Sequence, residues 1–411
     1  MANSTITPSL IAAEAVTLLD NELVMAANVF RGYREDFALR PNGYKPGESI
    51  SIRVPTSFTV RTNATMAPQD VIEGKRTLTL DRRVGVDFEF TSQELTLSIS
   101  ELSDRVIRPA MIQIANKIDQ DLHDLYKRVN NWVGTPGQTV NSFGDFALAP
   151  ERLDMLAVPR DSRVGVLSPR DHWGLVGSQT TLFNNSINQE AFRRGETGNV
   201  AGVNLFMSQN VATHTTGNFA TSGLTVGTGT YANYNAVKDT LIASITINGA
   251  ANGQTLKAGD VFTIADVYDV NPVTRARLPH LKQFTVVNDV TITGTSVTFD
   301  YYPAAINSGA FKTVDGPANN MNGKAVTFLG APNTNYPQNL VFHPNAFALV
   351  MVPMEAPPGA VDVARRTYKG TSVRVIPVYD GTNDKSAWRL DVLYGVLAVD
   401  PRLAVRLSGS P

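Results

Sequence analysis

An apolar stripe at helical spacing runs from about residue 8 to residue 31. Thr7 is a favourable N-cap, and Pro8 suits the first helical position because its missing N–H would have no partner there. Gly32 is a typical helix terminator. The stripe consists of Ile11, Ala15, Leu18, Leu19, Leu23, Ala26 and Phe30. Such a helix must bury its stripe, and two surfaces remain open: the rest of its own chain, or a neighbouring copy that it crosses as an arm.

The next pattern is extended rather than helical. Ile50, Ile52 and Val54 alternate up to Pro55, and a polar stretch follows as far as Arg76. Beyond it, apolar residues occupy even positions only: Leu78, Leu80, Val84, Val86, Phe88 and Phe90. This alternation predicts one long strand with a buried and a solvated face. The two strands predict a projecting ribbon with a polar tip, which is marginal alone and must lie on another surface.

The strongest helical pattern extends from Ser103 to Val129. Its apolar positions are Ile107, Met111, Ile114, Ile118, Leu122, Leu125 and Val129. A continuous helix of this length would form a rod of about 40 Å. Pro109 lies near its start, where it is tolerated or kinks the first turn. His123 stands between Asp121 and Asp124, which places it on the solvated face of the helix.

In the rest of the chain, the type of secondary structure that the pattern predicts changes twice. Residues 141–212 alternate helical and strand patterns, with a buried strand at 164–167 and a short helix that begins at Pro169. Between 213 and 337 helical patterns vanish, and the spacing of short strands is typical of an all-β barrel or sandwich. The strands predicted there span 241–247, 260–267, 283–287, 290–292, 297–301 and 325–329. A final hairpin of strands near 373–379 and 388–396 turns at Asp380-Gly381.

These patterns predict a multidomain organisation, since one core stops growing near about 250–300 residues and the chain has 411. The all-β block is long enough to be a domain inserted into a host loop. The predicted segments are an N-terminal arm (1–42), the ribbon (43–84), a region with the long helix at 103–129 (85–140), a first α/β part (141–212), the inserted barrel (213–337), a second α/β part (338–370) and a C-terminal hairpin (371–411).

Composition excludes several classes of protein. The chain carries 36 basic and 37 acidic residues, a net charge of −1, so no global field holds nucleic acid or an anionic membrane. The absence of cysteine excludes disulfides and thiolate metal sites. No basic residue precedes Arg31, and no apolar run reaches the roughly 18–20 residues of a membrane span. We therefore expect a soluble protein made in the cytoplasm, without a secretory signal or a membrane contact.

The sequence offers no convincing catalytic chemistry. The five histidines lack metal-ligand spacing, and neither a nucleophile elbow nor a phosphate-binding loop occurs. Asp260, Asp266 and Asp269 lack the glycine and glutamate of a calcium loop, and turn carboxylates explain them better. We predict no catalytic residue, metal or cofactor site, so the protein is not expected to be an enzyme.

The paired basic residues suggest another role. Arg82 interrupts the apolar side of its strand and is followed by Arg83. Arg82 is either an edge-strand charge that discourages misassociation or one half of an ion pair with a neighbouring copy, through a carboxylate such as Asp81, Glu73 or Glu48. One exposed pair contributes only about 0–1 kcal/mol, but repetition across a lattice could set register.

The order of these elements resembles the capsid fold of tailed double-stranded-DNA phages, the Hong Kong-phage fold. The segments ITPSLIAAEAVTLLDNELVMAANVFRGY and KPGESISIRVPTSFTV resemble the N-terminal signature of one coat-protein branch, with Glu48 and Ser49 in place of its usual Asp-Thr. GNVAGVNLFMSQNV, HPNAFALVMVP and YGVLAVDPRLAVRL also resemble family segments. LKAGDVFTI and QFTVVNDVTITGTSVTF are similar to strands of the I-domain inserted in coat proteins of the short-tailed phage P22 type.

The resemblance implies an α+β fold with an N-arm, an E-loop, a P-domain with a spine helix, and an A-domain carrying the I-domain. It implies a major capsid protein that self-assembles as hexamers and pentamers into an icosahedral shell around double-stranded DNA. It also implies help from the I-domain in folding and size control, assembly in the host bacterial cytoplasm, and a scaffolding protein and a portal as partners. Contact with packaged DNA would be weak and non-specific, and a decoration protein remains open.

Combining the resemblance with the apolar and charged patterns, we predict a set of contacts between subunits. The candidates are Ile11, Leu18, Phe30, Tyr44, Lys45, Glu48, Arg53, Glu73, Lys75, Asp81, Arg82 and Arg83. Two alternatives remain: an encapsulin-like compartment shell, which normally lacks a large β insertion, and a phage tail or adhesin protein, which would not explain the long helix. A secreted hydrolase would need a signal peptide and a catalytic constellation.

Overall fold

This computed structural model describes residues 8–33, 49–61, 64–66, 68–91, 103–179, 198–357, 362–368 and 370–410. The described residues form two compact units. The first takes its residues from Met1–Ile50, Thr77–His123 and Phe347–Leu397, and the second from Ser51–Arg76, Asp124–Ala346 and Ala398–Pro411. Neither unit is a continuous stretch of sequence.

The described helices are α1 (Pro8–Glu22), α2 (Arg108–His123), α3 (Phe143–Met155), α4 (Pro169–Gln179) and the short α5 (Tyr234–Val237). A π-helical turn covers Ser103–Ile107, and 3-10 turns cover Asp124–Arg128, Pro344–Ala346 and Pro401–Leu403. The strands before the barrel are β1 (Ser49–Val54), β2 (Gly74–Thr79), β3 (Arg82–Thr91), β4 (Trp132–Val133), β5 (Arg163–Leu167), β6 (Asn199–Val200), β7 (Val203–Met207) and β8 (Thr213–Thr215).

The barrel strands are β9 (Thr225–Thr228), β10 (Ala243–Asn248), β11 (Thr255–Leu256), β12 (Val261–Val270), β13 (Arg277–Val286), β14 (Val290–Thr291), β15 (Ser296–Tyr302), β16 (Val314–Asp315) and β17 (Val326–Phe328). The strands that follow are β18 (Asn335–Pro337), β19 (Asn339–Phe342), β20 (Phe347–Val352), β21 (Ala364–Tyr368), β22 (Thr371–Asp380), β23 (Lys385–Ala398) and β24 (Ala404–Leu407).

The first unit is built on a five-stranded sheet in the order β20-β23-β22-β21, in which β3 also pairs with β23. The predicted C-terminal hairpin is confirmed as β22 and β23. The predicted single strand from Leu78 to Phe90 is wrong, because it is divided between β2 and β3. At the division the backbone of Thr79 passes directly against Gly395, where an added Cβ would lie 2.1 Å from the Thr79 carbonyl oxygen. Beyond this crossing the chain takes β23 as its new partner.

Helix α1 packs on β21, β22 and α2, all within the first unit. Its buried residues include Ile11, Ala15 and Leu19, so its own chain covers this part of the stripe. The helix ends at Glu22 rather than near Arg31. The reason is Asp119 of α2, whose carboxylate accepts hydrogen bonds from the backbone N–H groups of Val24 at 2.8 Å and Ala26 at 2.9 Å. These two N–H groups therefore do not donate to the backbone carbonyls of a continuing helix.

The predicted long helix is present in three successive conformations rather than as one rod. The π-helical turn precedes α2, and a 3-10 turn follows it. Pro109 lacks the N–H that an α-helix needs at this point, which accounts for the irregular start. The predicted stripe is buried at Met111, Ile114 and Ile118. The placement of His123 on a solvated face is wrong: its side chain is fully buried, and burial lowers its pKa to about 4.

The second unit contains a six-stranded sheet in the order β4-β24-β19-β5-β7-β6. All five residues of β5 are buried, including Arg163, whose guanidinium lies 2.7 Å from Asp154. Helices α3 and α4 belong to the same core, which includes Phe146, Leu153, Leu175 and Val341. Ser142 caps α3 by accepting a hydrogen bond from the Asp145 N–H.

The barrel predicted for residues 213–337 is observed within this unit as a seven-stranded antiparallel sheet, β16-β12-β13-β15-β10-β9 with β17 also on β12. Phe262 is at the centre of its core, within 6.2 Å, ring centroid to centroid, of four other aromatic rings. The six predicted strands correspond to β10, β12, β13, β14, β15 and β17 with shifted ends. The sequence did not predict β8, β9, β11, β16, β18 or the short α5. Strands β8 and β18 pair with each other, so the two ends of the insertion meet.

A buried ion pair joins β12 to β13 inside the barrel. Lys282 Nζ lies 2.8 Å from Asp269, which is 1% exposed, and His280 Nε2 lies 3.4 Å from the same carboxylate. Burial alone would raise the pKa of Asp269, but the charge of Lys282 and these hydrogen bonds lower it to about 2. An unfolded aspartate titrates near about 3.9, so the ionised form stabilises the fold.

We expect Asp269→Asn to remove about 2–3 kcal/mol of acid-sensitive stability. That contribution is complete above about pH 4 and is lost as the pH falls towards about 2, because the depressed pKa belongs to the folded state. Urea unfolding at several pH values between about 2 and 6 gives the free energy of unfolding of each protein. The contribution of Asp269 is the difference between wild type and variant in how steeply this free energy falls with pH. Parallel curves for the two proteins over this range would contradict the assignment.

A second buried carboxylate holds together three strands of the first unit. Asp391 on β23 accepts from Arg374 at 2.6 Å, Arg83 at 2.9 Å and Arg389 at 3.0 Å. Gly85 on β3 leaves the necessary room, because an added Cβ would lie 2.8 Å from the Asp391 carboxylate.

We expect Asp391→Asn to lower the free energy of unfolding by about 2–4 kcal/mol, because it leaves Arg374 buried without a full counter-charge. Asp87→Asn is the matched control, since Asp87 lies 4.0 Å from Arg389 but is 72% exposed, and it should change stability by less than about 0.5 kcal/mol. Equal losses in urea unfolding of the two variants would refute this account.

Candidate assembly surface

The ribbon, residues 49–79, is a two-stranded sheet of β1 and β2 with a tip between them. The predicted pairing of two strands is observed, although each strand has only six residues. Within the tip, Gln69 binds Thr59 three times: its Oε1 accepts from the Thr59 backbone N–H and hydroxyl, and its Nε2 donates to the Thr59 carbonyl at 2.6 Å. One side chain thus links the two legs where no strand pairing does.

Large apolar side chains are exposed on this tip. Val60 is 93% exposed, Met66 76%, Val71 69% and Phe58 52%. A soluble surface tolerates scattered apolar residues, but several on one short projection indicate a surface that a partner covers. None of these four residues is among the contacts predicted from the sequence. The available signal was their apolar character within a stretch otherwise rich in threonine and charged residues.

The predicted contact residues of the arm and the ribbon have different environments. Ile11 is 2% exposed, because its own unit already covers it. Leu18 is half-buried, and Phe30 is 37% exposed while its backbone bonds with β20. Tyr44, Lys45 and Glu48 lie outside the described residues.

Four of the charged candidates, Arg53, Glu73, Arg82 and Arg83, form ion pairs within their own chain. Arg53 lies 3.3 Å from Glu73 across the ribbon, Arg82 lies 3.0 Å from Asp121, and Arg83 lies 2.9 Å from Asp391. Lys75 binds Asp239 through its backbone, and Asp81 is exposed. The Arg82 and Arg83 pairs explain why these charges interrupt the strand. The structure therefore gathers Arg53, Glu73 and Lys75 on the ribbon, and a contact of any candidate with a neighbouring copy stays a prediction.

A buried polar network fixes the barrel within the second unit. His214 Nε2 lies 2.9 Å from Asp260, and His214 Nδ1 lies 3.0 Å from the Tyr126 hydroxyl. Asp260 also accepts from the backbone N–H groups of Lys257 and Gly217. Burial raises the pKa of Tyr126 to about 12, which keeps its hydroxyl protonated. The side chains of His214 and Asp260 are 3% and 0% exposed, so this Tyr-His-Asp series is structural rather than a solvent-facing catalytic site.

Arg406 extends this network into the six-stranded sheet. Its side chain is fully buried and donates to the Gly259 carbonyl at 2.8 Å. The guanidinium lies 5.1 Å from the ring centroid of Tyr126 and 5.7 Å from that of Trp132, and burial lowers its pKa to about 10. Gln283 of the barrel exchanges two hydrogen bonds of 2.7 Å with the Trp132 backbone. Sequence patterns gave no signal for these contacts, which join residues far apart in the chain.

Within the described ranges, no group of three or more histidine, cysteine, aspartate or glutamate residues has the geometry to hold a metal ion. No helix among the described residues is long and apolar enough to cross a membrane.

We expect Asp260→Asn to lower the free energy of unfolding by about 2 kcal/mol. The carboxylate now faces three groups, His214 and the backbone N–H groups of Lys257 and Gly217, and the NH2 group of asparagine cannot accept a hydrogen bond from any of them. Asp266→Asn provides the control. Asp266 is an exposed carboxylate of β12 that lies 2.6 Å from Lys324, so its replacement should have an effect below about 0.5 kcal/mol. Chemical denaturation that finds both variants as stable as wild type would show that the network is dispensable.

Comparison with known proteins agrees with this architecture. The model of the P22 coat protein family, gene protein 5, matches residues 1–409. The major capsid protein of Acyrthosiphon pisum secondary endosymbiont phage 1 is 23% identical over 384 residues, which cover 89% of this chain and 90% of that protein. A solved structure from Mycobacterium phage Che8 has a TM-score of 0.50 and 14% identity, and covers 93% of this chain and 90% of that one.

A solved CUS-3 coat protein I-domain is 26% identical over 27% of this chain and 99% of its own length, with a TM-score of 0.21. The predicted α+β capsid fold is confirmed, and the alternatives of a compartment shell and a tail protein are not supported. The matched family is one of coat proteins rather than of enzymes. The chain belongs to the P22 coat protein family and is a phage major capsid protein.

Proposed function

We propose that copies of this chain build a closed icosahedral shell of hexamers and pentamers by laying the ribbon of each subunit over its neighbour. The observation that carries the proposal is the exposure of Phe58, Val60, Met66 and Val71 on one projection. Covering one such side chain fully contributes about 1.5–3 kcal/mol, before the entropic cost of association. Repeated at every position of a closed lattice, small contacts of this kind become a stable assembly.

The charge of the chain supports the same function. A net charge of −1 on 411 residues lets identical subunits pack without strong mutual repulsion. It also leaves only a weak, non-specific attraction for packaged double-stranded DNA. From the family resemblance we include a scaffolding protein and a portal as assembly partners, and we place assembly in the cytoplasm of the host bacterium.

The triple variant Val60→Ser, Met66→Gln, Val71→Ser should fold as wild type and fail to assemble. These side chains are already in water in the free subunit, so their replacement removes almost no buried area from the folded state. Circular dichroism and thermal unfolding measure the fold, while sedimentation velocity and negative-stain electron microscopy measure shells. Replacement is cleaner than deleting residues 48–80, because that deletion would also remove Leu78, which is fully buried.

Val273→Ser is the matched control. Val273 is 73% exposed but belongs to the turn between β12 and β13 of the barrel, not to the ribbon. It should assemble as wild type does. Uniform closed shells from the triple variant, at wild-type yield, would overturn the proposed role of the ribbon.

A further inference from the structure

Both legs of the ribbon contact the barrel of the same chain. On the second leg, the backbone N–H of Lys75 donates to Asp239 Oδ1 at 2.9 Å, and Arg76 Nη1 donates to the Asp239 carbonyl at 2.6 Å. On the first leg, the Ser57 hydroxyl accepts from Arg275 Nη2 at 2.7 Å. The barrel thus contacts the ribbon at two separate points, which is the minimum needed to fix its direction.

The Asp239 contact is close and rests on an anchored support. Gly74 lies so near the turn after α5 that an added Cβ would be 2.4 Å from the Lys238 carbonyl oxygen. Tyr234 of α5 stacks on Phe311 of the barrel, with ring centroids 3.5 Å apart and an interplanar angle of 6°. Because the obstacle at Gly74 is backbone rather than a flexible side chain, no larger residue fits there without moving the leg away.

The Arg275 contact has a conformational cost that its own turn does not explain. Arg275 has a φ of +60°, a left-handed conformation that a glycine or asparagine adopts more readily. Asn271 already caps this turn by accepting from the N–H groups of Val273 and Thr274. Strain retained in this way points to a role for the side chain, and the guanidinium reaches Ser57 and the carbonyl of Pro272.

We propose that the inserted barrel is a two-point brace that holds the ribbon in one direction in the free subunit, with Asp239 and Arg275 as its positioning residues. The inference rests on the proposed function, since direction matters only if the ribbon must meet a neighbour. The brace lowers the entropic cost of that encounter, because the ribbon is ordered before it binds.

The test uses the full chain, which has no cysteine of its own. Ala64→Cys on the tip and Thr327→Cys on β17 carry a spin-label pair, and double electron–electron resonance gives the width of the tip-to-barrel distance distribution. Hydrogen exchange of the ribbon peptides is measured in parallel on the unlabelled chain. The variants are Asp239→Ala with Arg275→Asn, and Gly74→Ala as an independent way of separating the second leg from the barrel.

The brace predicts a clearly wider distance distribution and roughly tenfold faster exchange of the ribbon amides in the double variant and in Gly74→Ala. The melting temperature should not fall in the double variant, because asparagine relieves the left-handed backbone at position 275. Asp239→Asn with Arg275 intact keeps an acceptor for the Lys75 N–H and should restore the narrow distribution. Asp266→Asn, on the barrel but away from the ribbon, should match wild type.

An unchanged distance distribution in both the double variant and Gly74→Ala would overturn the brace. If the double variant does not fold, the single variants Asp239→Ala and Arg275→Asn replace it, each with the same expected direction. This outcome is separate from the fate of the proposed function. Shells formed by the triple tip variant would refute the role of the ribbon in the lattice. The label distances in the free subunit test separately whether the barrel holds the ribbon in one direction.

Discussion

The tip of the ribbon has no second layer that covers its large apolar side chains, and this limit governs the design of the molecule. Val60, Met66 and Val71 therefore stay in water as long as the subunit is alone. In the proposed assembly a neighbouring copy buries them, and the exposed apolar surface then contributes a driving force for association. The rest of the chain keeps this projection attached to a well-packed body.

The barrel takes its place in that body through buried polar contacts more than through a shared apolar core. His214, Asp260 and Arg406 connect it to the six-stranded sheet, and Gln283 binds the backbone of Trp132. Buried hydrogen bonds of this kind specify one orientation, because a displaced barrel would leave donors and acceptors unpaired. A defined orientation is also what allows Asp239 and Arg275 to reach the two legs of the ribbon.

Sequence periodicity predicted elements such as α2 and the barrel strands β10 and β15, because each buries one regular face. It failed where a single distant contact decides the outcome. Asp119 ends α1 early by binding the backbone of Val24 and Ala26. The local sequence of α1 cannot predict this contact, because the carboxylate lies some ninety residues later in the chain. His123 was misplaced because its acidic sequence neighbours suggested solvent. The exposed tip residues were within reach of sequence analysis, whereas the Arg275–Ser57 contact required the fold.

The most direct test of the central claim is the reactivity of one engineered thiol at the tip of the ribbon. Val60→Cys introduces the only cysteine of the chain, at a position that is 93% exposed in the free subunit. Its rate of alkylation is measured in free subunits and in purified closed shells. The account predicts rapid reaction in free subunits and a rate lower by at least about tenfold in shells, where a neighbour covers the side chain. Equal rates in the two states would show that the ribbon tip remains in water after assembly, and would contradict it.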